Sequence, residues 1–222
     1  MLKRIGTFKE AEQKEMRHFE EHLCNNTTNT PCHATNADNR KDTKKCEDSE
    51  ETLEQLIDRD SKWRTDMRKT MKPKERMLIE CVTMPELAPE YRISHRKEEV
   101  NQGLTLEMAM KEAKRCLDCA KPACMEGCPV SINIPSFIKN IERGNITGAA
   151  RVLKSTSSLP AVCGRVCPQE KQCESRCLHL KTGGEAVAIG YLERFAADYE
   201  REHGGANVEK VKSNGIKIAA VG

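Results

Sequence analysis

Apolar positions recur with helical spacing in some stretches of the chain and vanish in others. Residues 8 to 23 carry Phe8, Ala11, Met16, Phe19 and Leu23 among Glu and Lys, the pattern of a weak amphipathic helix. Residues 24 to 50 contain no Ile, Leu, Val, Met, Phe, Trp or Tyr. Nothing there offsets the entropy cost of ordering, so the pattern predicts a disordered linker. A second helical pattern runs from Glu51 to Met71 through Leu53, Leu56, Ile57 and Trp63, and stops at Pro73. Residues 77 to 100, with Pro85, Pro89 and the short apolar pair Leu78-Ile79, read as extended and irregular.

The pattern sharpens after Gly103. Thr105 is placed to cap a helix over Leu106 to Arg115, whose stripe of Met108, Ala109 and Ala113 delivers Cys116 at the helix end. Asn133, with Pro135 two residues later, starts a helix through Phe137, Ile138 and Ile141 that Gly144 closes. Asn145 caps a further helix over Ile146 to Leu153, and a long helix runs from about Glu185 to His203 before Gly204-Gly205. The run Ile216 to Val221 reads as a strand leading into Gly222. Three segments follow: an N-terminal arm over 1–74, a compact, mostly α unit over 75–205, and a linker with one strand over 206–222.

Composition narrows the function classes. The chain is 222 residues long, with 37% hydrophobic and 32% charged residues, polar for one well-filled globule. Lys+Arg 37 against Asp+Glu 34 leaves +3, too little basic excess to predict nucleic-acid binding. No apolar run approaches the roughly 18 residues that cross a bilayer, so no membrane partner is expected. The N-terminus carries no apolar stretch typical of a secretory signal, which points to the reducing cytoplasm. There, 12 cysteines, eight of them between Cys116 and Cys177, argue for metal ligation before disulfides.

The spacing is specific. One group is Cys116-x2-Cys119-x4-Cys124-x3-Cys128-Pro129; the other is Cys163-x3-Cys167-Pro168, then Cys173-x3-Cys177. Short spacings let one loop wrap several corners of an iron-sulfur cube, and a Cys-Pro cysteine commonly ligates a second cube. Two 4Fe-4S clusters with crossed ligation are therefore expected. The competing reading is a zinc-bound or cofactor-free interaction module, although only Cys116 and Cys119 have the zinc-knuckle spacing. In the arm, His18, His22 and Cys24 stand at i, i+4 and i+6, an arrangement more common as a solvated helix face than as a metal site. Cys32, Cys46 and Cys81 have no partner spacing.

Charge and periodicity add two observations. From Leu104 to Lys181 there are 12 Lys or Arg and 7 Asp or Glu, an excess of 5 that two anionic clusters of about −2 each would nearly neutralise. On the last helix, Glu193 has Ile189, Gly190, Ala196 and Ala197 at i−4, i−3, i+3 and i+4, so its carboxylate points to a face expected to be buried. Such a group wants an Arg partner or a metal, and the sequence by itself favours Arg.

The runs Ala113-Lys-Arg-Cys-Leu-Asp-Cys119, Cys124-Met-Glu-Gly-Cys-Pro129, Ile134-Pro135, Cys163-Gly-Arg-Val-Cys-Pro168 and Cys173-Glu-Ser-Arg-Cys177 closely resemble the N-terminal iron-sulfur domain of the NADPH-dependent glutamate synthase small chain. The same domain opens dihydropyrimidine dehydrogenase and the large subunit of the NADH-dependent ferredoxin:NADP oxidoreductase. The resemblance covers about residues 75 to 222. It implies an alpha-helical ferredoxin-like fold with one 4Fe-4S cluster on Cys116, Cys119, Cys124 and Cys177. A second is implied on Cys128, Cys167 and Cys173, with Glu193 as the non-cysteine ligand; that reverses the preference for Arg. An all-cysteine set with Cys163 in place of Glu193 stays open. The resemblance further implies that an FAD-binding Rossmann domain begins with the strand at Ile216, so FAD and NADPH belong to a longer protein and this stretch is not active by itself. Electrons would pass from the flavin to a large glutamate synthase-type subunit or an equivalent flavoprotein.

Overall fold

The computed structural model describes residues 51–203, 215, 216 and 219. The proposed helix over 8 to 23, the linker over 24 to 50 and the His18, His22, Cys24 group lie outside the described residues, as does most of the strand at Ile216 to Val221. Ile216 and Ala219, which are described, belong to no strand. The helices are α1 Leu53–Ile57, α2 Lys62–Thr70, α3 Pro73–Met77, α4 Pro89–Ser94, α5 Leu106–Arg115, α6 Ala123–Glu126, α7 Ile134–Glu142, α8 Ile146–Lys154, α9 Pro160–Val166, α10 Leu178–Lys181 and α11 Ile189–Glu202. Two 3-10 turns, Gln169–Lys171 and Glu174–Arg176, link α9 to α10. An isolated antiparallel bridge joins Glu86 and Asn101, and among the described residues no helix is long and apolar enough to cross a membrane.

Local capping sets the central helices. The Thr105 hydroxyl accepts from the Met108 N–H at 3.3 Å. Asn133 accepts from Ser136 N at 3.3 Å and Asn145 from Gly148 N at 2.7 Å, satisfying donors the helix itself leaves open. Between α7 and α8, Gly144 turns the chain at φ +85, a conformation that suits glycine. The apolar faces of α5, α7, α8 and α11 meet in one core built around Phe137, Ile138, Ile141, Val152, Leu153 and Leu192. α9 lies on α11 at backbone contact: a Cβ added to Gly164 would stand 2.6 Å from Arg194 N and 2.8 Å from its Cα.

The structure departs from the sequence reading in several places. Packing extends N-terminal of residue 75, because Leu56 of α1 is fully buried in the same core. The Leu56 carbonyl accepts from Asn140 Nδ2 at 3.1 Å, and the Arg143 guanidinium lies 4.0 Å over the Trp63 ring. The pattern from Glu51 to Met71 breaks at 58–61 into two helices. Pro73 starts α3 instead of only ending its predecessor, since proline at a first helical position forgoes an N–H that has no partner there anyway. The stretch 77–100 contains α4, entered through Pro89. Residues 185–188 are not helical, and α11 begins at Ile189.

The high charge content is accommodated inside the unit as pairs. Arg64 with Asp118, Arg76 with Glu142, Arg115 with Glu112 and Lys139 with Glu142 are all buried or nearly so. Breaking one such pair leaves an uncompensated buried charge, which is strongly destabilising.

Gly164→Ala is expected to cost about 1–3 kcal/mol, because the new methyl meets backbone on the neighbouring helix and the two helices must part. Leu56→Ala is expected to cost about 2–5 kcal/mol. Urea unfolding followed by circular dichroism measures both; an unchanged midpoint for Leu56→Ala would place α1 outside the cooperative unit.

Candidate functional site

The cysteines sit where short helices begin and end. Cys116 terminates α5, its N–H bonded to the Ala113 carbonyl at 3.1 Å. Cys119 follows Asp118, which holds φ +53, a left-handed conformation uncommon outside glycine but tolerated by Asp. Cys124 lies within α6, and Cys177 joins the second 3-10 turn to α10. All four line one cavity of about 140 Å³, walled by Ile134, Pro135, Ile138, Val187 and Ile189. Lys121, Arg176 and Lys181 line it from the solvent side.

Burial pushes the Cys116, Cys119 and Cys124 thiols up, away from ionisation. After burial, the charges of Cys116, Cys177, Cys119 and Cys173 push Cys124 further in the same direction. Such thiols ionise readily only when a cation takes their charge.

The remaining cysteines form a second neighbourhood. Burial raises the Cys167 thiol, with Cys163, Glu193 and Cys128 adding to it. Cys173, buried, is pushed up to about 12 by burial first and then by Glu174, Cys128 and Glu193. Cys163 lies beside Cys167 and 3.9 Å from the Ser157 hydroxyl. All nine described cysteines are free thiols. Cys81 stands apart, near Glu112.

Glu193 is 6% exposed, and among the described residues its Oε1 has no hydrogen-bond partner. Burial alone pushes its carboxyl up to about 7. Among the described residues no Arg pairs with it as the sequence favoured: Arg194, next in the chain, donates to the Asn101 carbonyl at 2.9 Å and lies 3.2 Å from Glu99.

Close approaches fix this arrangement. Glu174, on the turn between Cys173 and Cys177, accepts from Gly190 N at 3.0 Å and so fastens the start of the helix that carries Glu193. Gly190 lies against Gln169, and Gly127, next to Cys128, lies against the Gln172 carbonyl, where a Cβ would come to 2.6 Å. Buried Glu112 accepts from Val82 N and Ala188 N, both at 2.9 Å, anchoring the approach to α11.

Several polar residues around the first cavity carry no signal in the cysteine pattern. Lys139, 1% exposed, donates to the Cys116 carbonyl at 2.6 Å. The imidazole of buried His179 reaches the Arg115 carbonyl at 2.9 Å. Asp118 is clasped by Arg64 and Arg68 at 2.5 and 2.8 Å. Burial pushes the Asp118 carboxyl up, but the hydrogen bonds and charge of Arg64, helped by Arg68 and Lys139, hold it below the usual range.

The donors gathered here are chiefly thiols, the ligand type that iron-sulfur clusters take. Among the described residues, no three His, Cys, Asp or Glu side chains are grouped to hold a single metal ion. Cys116, Cys119, Cys124 and Cys177 line a cavity edged by Lys and Arg, a setting that favours a bound anionic group. In the second neighbourhood, Cys163, Cys167, Cys128 and Cys173 lie near the carboxylate of Glu193, whose buried Oε1 has no hydrogen-bond partner among the described residues.

Comparison with known proteins points to an iron-sulfur domain. Residues 93–205 match the family described as dihydropyrimidine dehydrogenase domain II, 4Fe-4S cluster. The glutamate synthase [NADPH] small chain of Escherichia coli is 39% identical over 125 residues, 56% of this chain and 26% of that protein. Its Halomonas elongata counterpart is 37% identical over 139 residues, 62% of this chain and 29% of that protein. The NAD-dependent dihydropyrimidine dehydrogenase subunit PreT of E. coli is 40% identical over 108 residues, 48% of this chain and 26% of that protein. The alignments thus span about a quarter of each relative's length. With the family match covering half of the sequence and the cysteines gathered as described, the chain belongs to the family of dihydropyrimidine dehydrogenase domain II, the 4Fe-4S cluster domain.

Proposed function

We propose that this chain is the electron-transfer module of a flavin- and NADPH-dependent oxidoreductase of the glutamate synthase small-chain type, holding two 4Fe-4S clusters. The observation that carries the reading is the convergence of Cys116, Cys119, Cys124 and Cys177 on one cavity. Those four residues would hold the first cluster. Cys128, Cys167, Cys173 and Glu193 would hold the second, supported by the partnerless Glu193 oxygen among the remaining thiols. Cys163, adjacent to Cys167, is the alternative eighth ligand.

When bound, a 4Fe-4S cluster supplies storage and transfer of single electrons. The residues of this chain fix where that happens and at what potential. The thiolates set the position, the buried helix faces exclude water, and Lys139 and the surrounding cations offset negative charge. In this reading FAD and NADPH bind to a longer protein and the electron acceptor is a large glutamate synthase-type subunit or an equivalent flavoprotein. The relatives' own names, NADPH- and NAD-dependent, support that placement. No chemical conversion of substrate is assigned to the residues described.

Anaerobically purified protein is expected to be brown and to carry about eight irons and about eight sulfides per chain. A colourless, zinc-loaded preparation would sink the proposal. Cys177→Ser is expected to remove one of two EPR signals, and Glu193→Ala to alter the g-values and midpoint potential of the other. If Glu193→Ala leaves both signals as they were while Cys163→Ala disturbs one, Cys163 is the ligand and Glu193 is not.

A further inference from the structure

The family match begins at residue 93, yet the loop between Cys116 and Cys119 is held by residues well before it. Asp118, inside that loop, is 2% exposed and keeps φ +53. Arg64 of α2 grips its carboxylate with Nε at 3.1 Å from both oxygens and Nη2 at 2.5 Å from Oδ1. Arg68 adds a 2.8 Å contact to the other oxygen. The Asp118 carbonyl accepts from Arg59 at 3.2 Å. Arg64 is itself 2% exposed and is fixed by Ser136 Oγ at 2.7 Å and the Ile57 carbonyl at 3.2 Å.

Two features of this arrangement bear on a bound cluster. The multidentate grip fixes Asp118 in a left-handed conformation, which sets the turn that aims Cys116 and Cys119 at the same cavity. Arg68 is partly exposed and also lies 3.6 Å from Asp60, so the charges buried beside the loop are those of Arg64 and Asp118. Buried charge is poorly screened, so it acts on whatever the loop holds.

We infer that Arg64 and Asp118 are positioning residues that set the geometry and reduction potential of the first cluster, through a segment outside the family domain, while leaving the second cluster alone. This rests on the cluster assignment proposed above. Reduction adds negative charge to the cluster, so the Arg64 guanidinium favours the reduced form and the Asp118 carboxylate disfavours it. Removing one or the other therefore shifts the potential in opposite directions, which loss of structure would not do.

The test is an EPR-monitored redox titration of the full chain, purified anaerobically, with the first cluster's signal identified by its loss in Cys177→Ser. Asp118→Asn keeps the side chain's shape and should raise the reduced-to-oxidised ratio of the first cluster at the wild-type midpoint about tenfold, equal to 59 mV for a one-electron couple. Arg64→Met should lower it by about the same factor, and Arg64→Lys should restore it. The second cluster's midpoint should stay put in all three. An unmoved first midpoint, equal movement of both clusters, or movement of both variants in one direction overturns the inference. Should Arg64→Met fail to fold, the isosteric Asp118→Asn decides by itself. A wild-type chain without iron overturns the cluster assignment and this inference with it, whereas a brown wild type whose first midpoint ignores Asp118→Asn overturns this inference alone.

Discussion

Thiols crowded together away from water resist ionisation, and a carboxylate buried without a donor does the same. The fold nevertheless assembles four thiols around one cavity and sets the Glu193 oxygen, with no partner, near others. These groups repel one another once charged, so the surrounding helices must hold them against that repulsion until a cation compensates them. The tight seams of the unit serve this purpose: α9 touches α11 at backbone distance through Gly164, and Glu174 fastens the start of α11.

The same constraint explains how so polar a sequence folds into a compact unit. Arg64, Arg76, Arg115 and Lys139 are buried, each facing a carboxylate and each also donating to a backbone carbonyl. Their carbonyl partners include Lys114 and Cys116, so this polar interior converges on the end of α5, where the first cysteine loop begins. Charge that would weaken a purely apolar core is used here to define a loop.

How much of this was legible in the sequence depended on the range of the interaction. Caps at Thr105, Asn133 and Asn145 are local, acting over three residues, and were readable with their helices. The buried face of Glu193 followed from spacing on one helix. What spacing missed were contacts set by the tertiary fold. α9 escaped notice because Val162 and Val166 are 48% and 69% exposed and its hold on α11 runs through a glycine. The pairing of Arg64 with Asp118 spans 54 residues and leaves no periodic trace. The placing of Cys177 with Cys116, Cys119 and Cys124 rests on family resemblance, and the four residues line one cavity.

Cys173 and Cys177 flank one 3-10 turn, and Cys124 and Cys128 flank the end of α6, yet in the proposed assignment each pair is divided between two centres. Two short spans of backbone would then tie one inorganic core to the other, as rungs tie the rails of a ladder. Each span of four residues reaches at most about 14 Å between its end Cα atoms even when fully extended. Because tunnelling falls steeply with separation, tethers this short would keep the two cores within reach of each other.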